Sequence, residues 1–477
     1  MKFILTGLLL VLFFTAKSQE YVVKNIHVFG AKGDGKTNDQ AAFKAAADFF
    51  NARGGNGRLV IPKGTYIVGK QVYSGGQLNK PVYMGEDVLD FSNVKNVSIA
   101  GKAGAIIKYQ DSLRLGAFTP ETGKAYDHGN NYFVNPAYVA VIGNCISFEN
   151  CSGITISNIS LDGNNQNIIL GGIYGDVGRQ IPHNGVKILN CKSISVDQLN
   201  IHHFGLDGMI ISNKQSADSD KILITNSTFE YNSRQGLSWV GGNQLYVKNC
   251  KFNHTGKGKF SSPPGAGVDI EAEVGLVRNG YFENCEFIDN TGNGMVADSG
   301  NSGDCFFTGC TFWGTTSWSI WVTKPGFSFE KCNIYGSVAH GYDSPSMKDA
   351  TKFSNCLFED KPYNGVAPYG GFLVETNNKK RMSFSGCTFI SHTKKLGWFK
   401  SSAISPDEKY QFTNCSFTIN NILKEGDFAA ILRGAALKNC TFNFTDPDAK
   451  KKRYLLAGYG EAGNADLGGN KILYRNQ

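Results

Sequence analysis

The segment Gly267-Val268-Asp269-Ile270-Glu271-Ala272-Glu273 places a carboxylate at every second position. In a strand the side chains alternate between two faces, so Val268, Ile270 and Ala272 point inward while Asp269, Glu271 and Glu273 form an outward row. Neighbours in such a row are roughly 6.5–7 Å apart at Cα. Inverting glycosidases hold their acid and base roughly 6.5–9.5 Å apart, with a water between them. Crowded carboxylates raise one another's pKa, which keeps one of them protonated to act as the acid. The expectation is therefore a catalytic row in which Glu271 works with Asp269 or Glu273. A Ca²⁺ site and an ordinary solvated face are the alternatives. A solvated face mixes in Lys, Ser and Thr, and this run does not.

Other residues fit the binding of an acidic polymer. Arg234 suits a carboxylate or sulfate through bidentate pairing, with a salt bridge to Asp207 or Asp269 as its structural alternative. His202 and His203 are expected to orient the substrate, although a His near a turn is commonly just a hydrogen-bonded surface residue. Asp207 and Lys187 are placed at the same cleft. Trp239 and Trp321, with Trp313, Trp318 and Tyr174, are candidate platforms for the C–H faces of sugars, packing between segments being the other use of such rings. Hydrolysis of this kind requires no cofactor, and Ca²⁺ enters only with the metal reading of the row.

These residues must be positioned by a repeat. Cys250, Cys285, Cys310, Cys356, Cys387, Cys415 and Cys440 are each followed two residues later by Phe, with Cys332, Cys151 and Cys191 as looser copies and Ser227-Thr228-Phe229 as a serine version. From Ser227 onward the copies recur every 22 to 35 residues, the period of a solenoid. A second repeat runs in step: Asn184-Gly185-Val186, Asp207-Gly208-Met209, Gln235-Gly236-Leu237, Ala266-Gly267-Val268 and Asn293-Gly294-Met295. Two marks per period give at least two strands per coil, and stacked coils give parallel sheets. Short β-type runs bounded by Gly, Asn or Asp continue through the chain. One helix is predicted, from about Asn38 to Ala52, with Asn38 or Asp39 as its cap. The fold class is all-β: a single-domain right-handed parallel β-helix over residues 19–477, with a helix capping its N-terminal end. The cysteines are expected to stack inside as small hydrophobes, with Cys145–Cys151 and Cys305–Cys310 as alternative disulfides. Binding residues must then lie on an outward face and its loops, taken as roughly 103–140, 163–183, 212–220, 253–266 and 335–350.

Phe29-Gly30-Ala31-Lys32-Gly33-Asp34-Gly35-Lys36-Thr37-Asn38-Asp39, followed by Pro62-Lys63-Gly64-Thr65-Tyr66, resembles the opening motif of the pectate-lyase-like β-helix superfamily, which includes polygalacturonases and phage tailspikes. That opening unit and helix occupy about residues 22–70. Arg234-Gln235-Gly236-Leu237-Ser238 is similar to the Gly-His-Gly-x-Ser segment of polygalacturonases, and Asp207-Gly208 to their Asn-Thr-Asp-Gly. No paired Asp-Asp follows, and Arg or Gln stands where that family has His. The resemblance implies the fold and action on a polysaccharide.

Residues 1–18 read as a secretory signal: Met1-Lys2, an apolar run from Phe3 to Phe14, then Ala16-Lys17-Ser18. The run is too short for a stable span, so the mature protein is expected to be secreted or periplasmic. Asn-Cys-Ser/Thr sequons are expected to be core-facing and unglycosylated in a bacterial protein. The formal charge of +8 includes Lys2 and Lys17 of the signal, and the remaining mild excess fits an acidic polysaccharide partner. Nucleic acid does not fit, because the chain is exported and its Lys and Arg are scattered; Lys450-Lys451-Lys452-Arg453 reads as a solvated turn. The composition leaves the oligomeric state open. Three functions follow in order: a glycoside hydrolase on a uronate- or sulfate-bearing polysaccharide, a polysaccharide lyase acting by β-elimination, and a non-catalytic glycan-binding or adhesin β-helix.

Overall fold

Stacking of the two repeats gives a coil with three parallel faces. The computed structural model describes residues 20–126, 135–172, 180–214, 219–340, 342–376, 380–399, 405–420, 432, 434–446 and 464–474. The expected signal segment, Tyr174 and the basic run at 450–453 lie outside the described residues. One turn of the coil runs Asp207–Ser212 on the first face, Ile222–Thr225 on the second and Thr228–Glu230 on the third. Strand Gln235–Lys248 then covers the first and second faces in one bent run. Register holds from coil to coil, as in Met209, Leu237, Val268, Met295 and Ile320 on the first face. No described helix is long and apolar enough to cross a membrane.

Where register holds from coil to coil, like residues pile into files. On the third face Phe287 and Phe312 stack at 4.6 Å and 5°, and Phe417 and Phe442 at 4.4 Å and 3°. A second file on the second face includes Phe282 on Phe307 at 4.6 Å. Before each Cys at the corner between these faces stands a residue with positive φ, such as Asn249 (55°), Asn284 (53°) and Asn414 (55°). Asn tolerates the left-handed region better than other non-Gly residues, which accounts for the recurring Asn-Cys. The asparagines of the Asn-Cys-Ser/Thr sequons, Asn150, Asn414 and Asn439, are exposed, so the expectation of core-facing sequon residues is corrected.

All twelve cysteines are buried and free, which removes both alternative disulfides. The thiols at this corner donate to the carbonyl two residues back, for example Cys250 to Lys248 at 3.3 Å and Cys285 to Glu283 at 3.4 Å. Ser227 makes the same bond to Thr225 at 2.7 Å, which explains why serine can stand in the file. Cys151 and Cys191 belong to a different corner, between the first and second faces, where they stack on each other. Their sequence likeness to the other copies reflects the chemistry of a tight corner and does not place them in one file. Burial pushes the Cys305 thiol up to about 12. Because all twelve thiols are buried, native protein is expected to resist thiol labelling at neutral pH and to melt identically with and without reductant, while denatured protein labels at all positions.

The helix spans Gln40–Arg53 and buries Ala42, Phe43, Ala46, Ala47 and Phe50. Phe43 meets Tyr66 edge-on at 5.6 Å, and Asn51 bonds to both Asp90 and Ser92 of a neighbouring strand. Asp39 occupies the position before the helix, yet its carboxylate accepts from the backbone N–H groups of Lys32 and Gly33 at 2.8 and 2.9 Å. It ties down the Gly-rich loop instead of capping the helix. Residues 103–140, expected to be irregular, include strands Ala105–Tyr109, Arg114–Ala117 and Val139–Val141. The last two join Gln71–Tyr73, Tyr83–Gly85 and Ile169–Gly171 in a five-stranded side sheet.

Candidate active site on the first face

The outward position of the first-face strands forms one column: Asp90, Ser147, Lys187, Ile210, Ser238, Asp269, Val296 and Trp321. Neighbouring members are about 4.8 Å apart across the sheet. Asp269 lies between Val268 and Ile270, both fully buried in the core, so its side chain points outward. It is nevertheless only 2% exposed, because neighbouring side chains cover it. Gln235 Nε2 donates to Asp269 Oδ2 at 2.6 Å, and Gln235 Oε1 accepts from the N–H of Ala266 at 2.9 Å. Among the described residues, Asp269 Oδ1 has no hydrogen-bond partner. Burial pushes this carboxyl well above the usual range, Glu271 adds to the rise, Arg234 opposes it, and Asp207 and Asp298 raise it further. Burial thus favours its neutral form over the carboxylate.

A polar ladder leads to this point. Asp87 accepts from Asn144, Asn144 Oδ1 accepts from Asn184, and Asn184 Oδ1 accepts from the N–H of Asp207 at 3.0 Å. Asp207 is fully buried, and its Oδ2 receives Arg234 Nη1 at 3.2 Å and Ser238 Oγ at 2.9 Å. Arg234, 3% exposed, thus takes the coil-to-coil ion pair that was the alternative to substrate binding.

The alternating row of three carboxylates is not continuous. Strand Val268–Ile270 ends before Glu271, and the next strand begins at Ala272. Glu271 donates its N–H to Trp239 O and accepts from the N–H of Glu273 at 3.2 Å, a tight bend at the corner between two faces. Ala272 is half-buried and Glu273 exposed. Asp269 and Glu271 therefore remain neighbours that sense each other's charge, while Glu273 lies past the bend. The preceding coil turns the same corner with Gly241-Gly242 inside one strand, Gly242 at φ 135°. The bend was not visible from alternation alone.

Trp239 is not a sugar platform: its ring is 1% exposed in the core, the inward neighbour of outward Ser238. Trp321 does lie on the outward column, in a cluster with Trp318 at 5.0 Å, which itself meets Tyr369 at 5.1 Å. Lys187 is half-buried on the column, three coils before Asp269. His202 and His203 do not join the group. His202 ends strand Lys192–His202 on the third face, and residues 203–206 separate it from Asp207. His183 is buried and neutral, lowered to about 3 by burial, with Nδ1 accepting from the Gly205 N–H. Gln235 and Ser238 were missed as site residues. Aligning Gly236 with Gly267 would have stacked Ser238 on Asp269 and set Gln235 beside Ala266, the neighbour it bonds. Among the described residues, the group able to hold a metal is Asp162, His202 and His203, not the acidic row.

The family model for the right-handed beta helix region matches residues 144–334, which include this site. Over these residues the chain matches a right-handed β-helix, and parallel stacking of its described strands continues on both sides of the match. A curated relative, the exopolygalacturonase clone GBGA483 of Arabidopsis thaliana, is 26% identical over 276 residues, 52% of this chain. The chain spans 59% of that relative's length. Among solved structures, the A-module of mannuronan C-5 epimerase AlgE4 from Azotobacter vinelandii is 14% identical, with 95% of this chain and 97% of that one covered at a TM-score of 0.37. Gene product 12 of bacteriophage phi29 is 14% identical, with coverage of 95% and 50% and a TM-score of 0.47.

Proposed function

We propose that this β-helix cleaves an anionic polysaccharide by hydrolysis, with Asp269 as general acid and Glu271 as general base. The observation that carries the reading is the Asp269 carboxyl: buried, outward, raised by burial well above the usual carboxylate range, and with Oδ1 lacking a hydrogen-bond partner among the described residues. Such a group can donate a proton to a glycosidic oxygen at a pH where an ordinary aspartate cannot. Glu271, half-buried beside it, remains accessible to activate a water. Gln235 fixes Asp269 by holding Oδ2. Trp318, Trp321 and Tyr369 would form a platform farther along the same face. Similarity to an exopolygalacturonase supports a uronate-bearing substrate, as does the mild positive charge. Arg234 is occupied by Asp207, which argues against it as the base of a lyase.

Product analysis on a panel of acidic polysaccharides tests the reaction class. Hydrolysis yields new reducing ends without ultraviolet-absorbing products. Accumulation of unsaturated uronides would overturn it in favour of elimination.

A further inference from the structure

We propose that Asp162, His202 and His203 form a binding site for a divalent transition-metal ion, on the third face and distinct from the first-face carboxylates. Asp162 and His202 are register partners at the ends of adjacent parallel strands, so their side chains emerge side by side. His203 follows at φ 58°, a left-handed conformation that brings its ring beside that of His202. His202 Nδ1 is 2.8 Å from His203 Nδ1 and 3.7 Å from Asp162 Oδ1. One ligand atom from each of the three residues falls within 4.8 Å of the others.

The surroundings hold these groups in place. Ser160 Oγ meets His202 Nε2 at 3.3 Å, which leaves Nδ1 facing the site. The His203 ring stacks on Tyr231 at 5.2 Å and 11°, and Tyr231 stacks on His254. Asp162 Oδ1 accepts from the Asn164 N–H at 2.8 Å. Two imidazoles and one carboxylate suit Zn²⁺, Co²⁺ or Ni²⁺, whereas Ca²⁺ takes six to eight oxygens. Lys108 Nζ, 3.4 Å from Asp162 Oδ2, is the one nearby cation that opposes loading among the described ion pairs. Glu230, the register partner of His202 on the next coil, adds negative charge. An ion here would pin the corner 203–206, whose Phe204 and Leu206 carbonyls accept from Ser233 and Arg234.

The test titrates full-length protein with Co²⁺, reading visible absorption and the melting temperature. Wild type is expected to bind one equivalent, with d–d bands of nitrogen–oxygen coordination and a raised melting temperature. Ca²⁺ should do neither. His203→Ala and Asp162→Asn should abolish both signals, Ser160→Ala should weaken binding about 10–100-fold, and Lys108→Met should tighten it. Failure of wild type to bind Co²⁺, or unchanged binding by folded Asp162→Asn, overturns the proposal.

Discussion

Arg234→Met is expected to lower stability by about 3–5 kcal/mol, because it strands the Asp207 carboxylate in a buried setting. Asp207 is fully buried and Arg234 nearly so, with Nη1 and Oδ2 3.2 Å apart. Removal of one partner leaves the other without its counter-charge, while Ser238 Oγ still donates to Oδ2. Adding Asp207→Asn to the same chain should restore much of the loss, since an amide can be buried with far smaller penalty. Chemical denaturation midpoints of the two single variants and the double variant measure this coupling. If Arg234 instead serves chiefly to hold a substrate's acidic group, the single variant keeps its midpoint and loses only substrate affinity.

Asp269→Asn is expected to separate activity from stability in the opposite way. General acid catalysis contributes about 10²–10⁴ in rate, and the amide cannot supply the proton. Its oxygen can still accept from Gln235, so the hydrogen bond seen at 2.6 Å has a substitute. The pH dependence follows from the raised folded-state pKa. An aspartate raised above its unfolded value of 3.8 contributes most stability below that value and loses the contribution as pH climbs through the folded one. Wild type should therefore weaken relative to Asp269→Asn as the solution is made alkaline, and the two should converge in acid. A stability difference that grows on acidification would mean that Asp269 is ionised in the folded state.

Much of this arrangement was legible because a solenoid repeats its own alignment. The Cys and Gly marks located the corners and strands, and they correctly turned Val268 and Ile270 inward with Asp269 outward. Alternation failed at Glu271 because corner geometry, set by backbone bonds to Trp239 and Glu273, interrupts the strand. Trp239 was misplaced for a simpler reason: one residue decides the face, and it follows outward Ser238. Aromatic chemistry suggested a platform where register demanded core. The buried state of Asp207 and Arg234 was hidden as well, because polar residues read as exposed until their partners on the adjacent coil are aligned. His202 and His203 fell in the right coil but on the wrong face, since the short corner 203–206 separates them from Asp207.

The most direct test of the central claim compares wild type and Asp269→Asn for release of reducing ends from acidic polysaccharides, with matched melting curves. The account predicts that wild type cleaves at least one uronate- or sulfate-bearing polymer and that the variant loses at least about 100-fold in rate while melting no lower at neutral pH. Full activity in the variant, or no cleavage of any such polymer by wild type, would contradict it.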